Sequence, residues 1–405
     1  MPTKTRYGDS PWVHDFPDSR RPNPPRLRGD HDADVVIIGA GLTGVATAYA
    51  CAAAGLSTIV LEADRIGRGS SGRSTGLLLP EPGPAFRDIV HAHGLRAGRT
   101  MFEAWRRGAL DAAALLRRLG APVGLQALDS VTITNDEQRT RREFDARVSA
   151  GLAAQWLTAK QVRPGVMTDA QGAIRTGDVF AIDPYRACVG LTVAARKRKA
   201  VFAERTPVRK VKFGAKGVEV TADGAVVRAA TAIVTTGSAT VEFKPLRRHF
   251  TRRETYHVMT EPVPAAIRKQ VFPATITLGD TRSPRHRVRW TADHRLLVTG
   301  GDQNEVPERK RSQAVVERTS ELMYEFLTMY PAILGLRAEF GWEMPYGETA
   351  DGVMYVGPHR NYPHHLFALG GPSDSVTGAF VAARILARAA AGAPAKGDEV
   401  FGWTR

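Results

Sequence analysis

The residues with the clearest chemical purpose are Gly39, Gly41 and Gly44, in G-x-G-x-x-G spacing directly after the apolar run Val35-Val36-Ile37-Ile38. In a strand, turn and helix of this kind the first glycine permits the tight turn, the second lets the main chain approach a pyrophosphate, and the third lets helix pack on strand. The diphosphate then lies on the helix N-terminus, at Leu42 and Thr43, where unpaired N–H groups and the helix dipole favour negative charge. Glu62, with Ala63 beside it, follows about 20 residues on, where an acid accepts a hydrogen bond from a ribose 2′-OH. A 2′-phosphate would be repelled there, which argues against NADP.

FAD and NAD share this fingerprint, and the next stretch separates them. In "ADRIGRGSSGRSTG" Gly67, Gly69, Gly72 and Gly76 are interleaved with Arg68, Ser70, Ser71, Arg73, Ser74 and Thr75. Such a loop offers many main-chain donors and two cations, suited to a long diphosphate and the polar edge of a ring system. An NAD dehydrogenase has no need of it here. No Ser-His-Asp or H-E-x-x-H constellation is visible. Cys51 and Cys188, the two cysteines, lie in apolar helical patterns outside any C-x-x-C or Cys/His cluster, so both read as small core residues and no metal is expected. His364-His365 would point to opposite faces of a strand, which favours a surface pair over a metal pair.

These groups need a parallel sheet to hold them. The run ending at Ile38, a small-residue helix over 42–54 closed by Gly55, and a strand over 58–61 make a complete β-α-β unit. Residues 86–119 read as helical, with two-helix character around Gly94, and "LQALDSVTITNDEQ" alternates like a strand. Asp183-Pro184 reads as an N-cap with proline at the first helical position, opening a helix that ends in Arg196-Lys197-Arg198-Lys199, where cations complement the dipole. Strands are expected at 207–213, 217–221, 229–238, 255–260, 285–291 and 295–299, and a helix at 308–330. Parallel-sheet signals thus stand at the start, middle and end of the chain, with antiparallel-looking strands between.

The expected fold is α/β: a discontinuous, Rossmann-like FAD-binding domain of the glutathione-reductase type with an inserted antiparallel-sheet substrate domain. The cofactor domain would comprise 1–85, 155–240 and 335–405, with residues 1–33 as an extended arm, and the substrate domain 86–154 and 241–334. A length of 405 residues fits two such units. The net charge of +15 permits an acidic partner, but the basic residues are spread through several segments and read as solvated arginines, so nucleic acid is not the expected partner. The N-terminus has no apolar signal core and no apolar run reaches transmembrane length, which makes the cytoplasm the expected location.

Read in order, "YGDSPW", "SGRSTG", "TPV" at 206–208, "AIVTTGS" at 232–238, "TEPVP" at 260–264, "DTR…RVRWTADHRLLVTGGD" over 280–302, W-x6-T-x-D-G-x4-G from Trp342 to Gly357, and "LFALGG" from Leu366 carry a family likeness. The chain resembles the glycine oxidase/D-amino acid oxidase (DAO) family of FAD-dependent oxidoreductases, close to its γ-glutamylputrescine oxidoreductase-like members.

The resemblance implies that Gly39, Gly41 and Gly44 hold the pyrophosphate and Glu62 the adenosine ribose. Arg68, Gly69, Ser70, Ser71, Gly72, Arg73 and Gly76 would line the diphosphate and flavin. Val208 would meet adenine through its main chain, and Thr236 and Gly237 would close on the cofactor. Asp351, Gly370, Gly371, Ser373 and the following helix would flank the isoalloxazine.

Departures from the family pattern are Ser74-Thr75 in the loop and Pro372-Ser373-Asp374-Ser375 after Gly371. Met344 stands where covalent members carry a cysteine, so non-covalent FAD is expected. The strand at 296–299 lacks the lysine that promotes reaction with oxygen in some members, which leaves oxygen or another redox partner open as acceptor.

The implied reaction is hydride removal from the carbon next to an amine, giving an imine. The implied partner is a small amine or amino acid. Candidates for the substrate face are the row Arg285, Arg287 and Arg289, a set of cations suited to a carboxylate, and one of Tyr256 and His257. Oxidation of a hydroxy acid or polyol, action on tRNA, and a non-catalytic flavin-holding role are the alternatives.

Overall fold

The computed structural model describes residues 4–163, 170–282, 285–330, 333 and 335–405. In chain order its elements begin with β1 (Arg6–Tyr7), α1 (Pro11–His14), β2 (Gly29–Ile38), α2 (Leu42–Ala53), β3 (Thr58–Leu61), β4 (Leu77–Leu78), α3 (Phe86–Arg118), β5 (Gln126–Thr134) and α4 (Glu137–Ser149). They continue with β6 (Gln155–Thr158), α5 (Ala159–Val162), β7 (Gly172–Ala181), α6 (Pro184–Lys197), β8 (Val201–Ala203), β9 (Val208–Gly214), β10 (Gly217–Ala222), β11 (Ala225–Gly237) and β12 (Thr251–Thr260). The last are α7 (Ala265–Arg268), β13 (Ile276–Asp280), β14 (Arg287–Trp290), β15 (Leu296–Asn304), α8 (Glu308–Met329), β16 (Ala338–Glu348), β17 (Tyr355–His359), β18 (Tyr362–Leu369) and α9 (Thr377–Ala390).

An eight-stranded sheet runs β17-β18-β11-β2-β3-β8, with β10 and β9 added as a ribbon on β11. It is parallel from β18 to β8. Val36, Ile37, Val60 and Val234 are all fully buried, which explains why these strands read as continuous apolar runs: layers cover both faces. Helix α2 packs between α6 and α9. Gly94 (φ 82) breaks α3 where two helices were expected, and Asp183 caps α6 by accepting from Arg186 N at 2.9 Å.

A ten-stranded sheet runs β1-β16-β12-β15-β14-β13-β5-β7-β4, with β6 on β7. It is mainly antiparallel, with parallel pairs at β1/β16 and β13/β5. Helix α8 covers one face through Val315, Leu322 and Phe326, packed on Tyr256, Val258, Val288 and Trp290. The other face turns toward the first sheet.

The chain crosses between the two sheets more often than its sequence suggests. Strands β6, β7 and β16, expected in the cofactor domain, pair in the ten-stranded sheet. Helix α3, expected with the substrate domain, packs on α9, with Gly108 so near Val381 that a Cβ would lie 2.5 Å from its methyl. The arm is shorter than expected because residues from Gly29 onward belong to β2. The described part of the arm is packed: Arg6 and Tyr7 pair with Phe340 and Gly341, and the Trp12 indole donates to Ser74 O at 3.0 Å.

Candidate active site

The glycine turn forms a cradle that side chains would fill. Gly39 has φ +102, and a Cβ there would sit 3.0 Å from Thr235 O. At Gly44 a Cβ would lie 2.0 Å from Gly39 O, so α2 can approach the turn only as glycine. Gly41, the N-cap of α2, offers no side-chain cap, and Leu42 N donates instead to Ser71 Oγ at 2.7 Å. The remaining first-turn amides have no intrahelical acceptor, the condition for an anion site. Glu62 accepts from Ala40 N at 2.7 Å and Asp64 N at 2.9 Å, which ties the glycine turn to the segment that follows β3. Burial raises its carboxyl above the usual range despite these bonds.

From this cradle a crevice of about 480 Å³ extends between the sheets. Gly39, Gly41, Leu42 and Thr43 line one part, and Glu62, Ala63 and Val208 another. The loop adds Gly69, Ser70 and Ser71, and β11 adds Thr236 and Gly237. Its far end is made by Met344, Tyr346, Gly370, Gly371, Ser373 and the start of α9 at Gly378. Gly370 (φ +79) is bonded through its amide to Gly237 O at 2.8 Å, which joins the ends of β11 and β18.

A second, polar cavity of about 1020 Å³ opens beside it. The two share Arg253, Tyr346, Gly371, Pro372 and Ser373. Arg287 lines this vestibule, paired with Asp374 at 3.1 Å and bonded to Ser130 Oγ at 3.1 Å. Arg285 is exposed and donates to Gly83 O at 2.6 Å. Asp302 accepts from the Tyr346 hydroxyl at 2.8 Å. Asp351 is held by Arg405 at 2.7 Å and His93 at 3.0 Å; burial pushes its carboxyl up, but the Arg405 guanidinium and neighbouring donors bring it below the usual range.

Residues 34–389 match the family described as DAO, FAD dependent oxidoreductase. The chain belongs to this family. It is 26% identical over 320 residues to γ-glutamylputrescine oxidoreductase of Escherichia coli strain K12, covering 76% of this chain and 72% of that one. It is 26% identical over 348 residues to glycine oxidase of Bacillus licheniformis, covering 83% and 87%. The crystal structure of glycine oxidase from Geobacillus kaustophilus has the same fold, with a TM-score of 0.75 at 17% identity over 93% of this chain and 99% of that chain. FAD is the cofactor of this DAO-family chain, and the glycine cradle with its adjoining crevice offers the donors and the clearance that an ADP moiety needs.

Several expected site residues of this family member stand elsewhere. Gly44, Gly72 and Gly76 do not line the crevice but allow main chains to meet: a Cβ at Gly72 would lie 2.5 Å from Gly67 O, and one at Gly76 2.1 Å from Ile182 O. Arg68 lies near Tyr185 of α6 rather than at the crevice. Arg73 is drawn to Glu343 at 2.7 Å. Asp351 lines the vestibule and not the crevice, because Arg405 and His93 hold it there.

The substrate-face candidates divide. Arg287 lines the vestibule, but Arg289 is 3% exposed, donates to Thr75 O at 3.0 Å and lies over the Trp12 ring. Burial lowers its guanidinium to about 10. Tyr256 faces α8, with its hydroxyl bonded to Glu254 at 2.9 Å and Gln303 at 2.7 Å. His257 is fully buried and stacks on Trp342 at 5.2 Å, and burial lowers it to about 3. For Arg289 and His257 the reason is shared: Trp12 and the arm cover their side of the sheet, packing with Met259, Leu297, Phe340 and Trp342, whereas Tyr256 is covered on the other face by α8. His365 also departs from expectation, being 2% exposed among Phe213, Phe243 and Phe367 while His364 stays outside.

Strand β12 begins at Thr251, so its row Thr251, Arg253 and Thr255 is the one that lines the vestibule. A strand read as starting at 255 leaves Thr251 and Arg253 outside it, which is why neither stood among the candidates. Tyr346 and Asp302 carried no such periodic signal. Among the described residues no group of three or more His, Cys, Asp or Glu is arranged to hold a metal, and no helix is long and apolar enough to cross a membrane.

Proposed function

We propose that this chain removes a hydride from the carbon next to the nitrogen of an amino acid or small amine, giving an imine, and passes the electrons to oxygen or another acceptor. The observation that carries this reading is the junction at Arg253, Tyr346 and Gly371–Pro372–Ser373, where a cradle fitted to FAD opens into a vestibule lined by charged side chains of both signs. Gly39, Gly41, Leu42 and Thr43 would hold the diphosphate, Glu62 the ribose, and Gly370, Gly371 and Ser373 the ring. When bound, FAD supplies the hydride acceptor that no protein side chain can.

What the protein supplies is position and charge. Arg287 is fixed by Asp374 and Ser130, and Arg285, bonded only to a neutral carbonyl, is placed to receive a substrate carboxylate at the vestibule's basic side. Pro372 and Tyr346 line both cavities at the junction, where their ring carbons would help exclude water from the reacting carbon. The relatives' named amine and amino-acid substrates point the same way. The test is an anaerobic screen of the purified yellow protein: amines or amino acids should bleach the flavin absorbance. Bleaching by 2-hydroxy acids or polyols alone would contradict the reading.

A further inference from the structure

Asp302 is unlike the other carboxylates of the vestibule. Asp374 is matched by Arg287 at 3.1 Å, Glu348 by Arg253 at 3.5 Å, Asp351 by Arg405 at 2.7 Å, and Asp280 by Arg282 at 2.5 Å. Asp88 is exposed to solvent in the first turn of α3. Among the described residues no cation stands within ion-pair distance of Asp302. Its one hydrogen bond shorter than 3 Å comes from Tyr346, a residue that lines both cavities. The carboxylate is therefore oriented, partly shielded, and placed beside the ring end of the crevice with no positive partner of its own.

The groups facing it come from three elements. Arg253 and Thr255 approach from β12, Tyr346 and Glu348 from β16, and Ser373 and Asp374 from the loop before α9. Arg253 feels the charge of Asp302 but is shared with Glu348, and Arg287 is paired with Asp374, so neither cation forms an ion pair with Asp302. Burial, and then the charge of Asp374, push its carboxyl above the usual range against the pull of Tyr346 and Ser373. A cationic group entering the vestibule would meet here the attraction that the protein itself leaves unanswered.

We infer that Asp302 receives the ammonium group of the substrate and takes a proton from it, with Tyr346 as the residue that positions the carboxylate. The assignment rests on the amine chemistry proposed above. The proton balance is simple: an N–H bond of the ammonium breaks as an O–H bond forms at Asp302. The nitrogen keeps the electron pair, which a C=N bond to the neighbouring carbon requires. The Arg285–Arg287 side and the Asp302 side then read the two charges of an amino acid separately.

The test uses the holoprotein with two unreactive probes, followed by perturbation of the flavin absorbance. tert-Butylammonium has no hydrogen on the carbon next to nitrogen and cannot be oxidised; isobutyrate is a carboxylate of similar size. Wild-type affinity for tert-butylammonium should rise tenfold or more as pH increases through the titration of Asp302. Asp302→Asn, which keeps an acceptor for Tyr346, should lose tenfold or more of that affinity together with its pH dependence, and Asp302→Glu should recover part. Isobutyrate should bind Asp302→Asn as well as or better than wild type, which reports an intact site. Equal binding of tert-butylammonium to wild type and Asp302→Asn, or none to wild type, would overturn the assignment. A flavin that no amine bleaches would instead refute the amine reading, while Asp302-dependent binding of tert-butylammonium stayed measurable, so the two failures are told apart.

Discussion

Replacing Gly44 and Gly41 one at a time by alanine separates what the fold needs from what the cofactor needs. A Cβ at Gly44 would sit 2.0 Å from Gly39 O and 2.8 Å from Thr235 Oγ1. Helix α2 and the turn would have to part by about 1 Å across a close-packed contact. Overpacking of this kind costs about 1–3 kcal/mol, and a main-chain neighbour that cannot rotate away puts Gly44→Ala near the upper figure. Gly41 differs in both respects. Its φ of −70 suits any residue, and its Cβ would meet only Ser71 Oγ, at 3.0 Å, on a rotatable bond. The cost to the protein should stay under about 1 kcal/mol. The added methyl, however, intrudes where the main chain must approach a diphosphate, and FAD affinity should fall at least tenfold, or about 1.4 kcal/mol. Urea unfolding of the flavin-free protein measures the first quantity, and titration with FAD followed by flavin fluorescence measures the second. If Gly41→Ala unfolds like wild type and also binds FAD like wild type, the cradle is not where the cofactor sits.

Three further outcomes are expected. His257 is held neutral by burial at about 3, against an ordinary value of 6.5, a gap worth at most about 5 kcal/mol; this stability is present above pH 6.5 and lost as pH falls toward 3. His257→Phe should therefore flatten the acid side of the urea-midpoint curve and leave flavin reduction by substrate unchanged, whereas parallel curves or lost reduction would contradict its structural role. Arg147 joins Glu81 at 2.6 Å and Glu143 at 2.7 Å, while Glu143 accepts from Phe86 N and Arg87 N at the start of α3. Arg147→Met strands the buried carboxylate of Glu143 and the half-buried one of Glu81 and should cost about 3 kcal/mol in urea unfolding; an unchanged midpoint would count against the network. Met344 lines the crevice without a group that could link to a flavin, so acid precipitation should release all yellow colour into the supernatant, and flavin retained in the pellet would show a covalent bond.

The parts of the fold that were legible in the sequence are those set by local rules. The glycine turn, the apolar strands buried on two faces, the Gly94 break and the Asp183-Pro184 helix start each follow from neighbours in the chain. Sheet membership was harder, because β7 and β16 pair with strands far away in sequence, and strand pattern alone does not name a partner. Of the expected cofactor residues, Gly39, Gly41, Leu42, Thr43, Glu62 and Val208 line the crevice, for the same reason as the turn is legible: glycine exposes main-chain groups there, whereas Arg68, Arg73 and Asp351 are drawn away by tertiary partners. The substrate end was not legible. Whether His257 or Arg289 meets a cavity depends on where Trp12 of the arm lies, and whether Tyr256 does depends on which face α8 covers; the alternation of β12 and β14 reads the same with or without these covers. Asp302 and Tyr346 come together only across β15 and β16, two strands separated in the sheet by β12.

The most direct test of the central claim is a crystal structure of the holoprotein with 2-aminoisobutyrate, an amino acid with no hydrogen on the carbon next to its nitrogen. Adenosine is expected at Glu62 and Val208, the flavin ring against Gly370, Gly371 and Ser373, and the amino acid in the vestibule between the Arg285–Arg287 side and Asp302. FAD density outside this crevice, or a ring turned away from the vestibule, would contradict it.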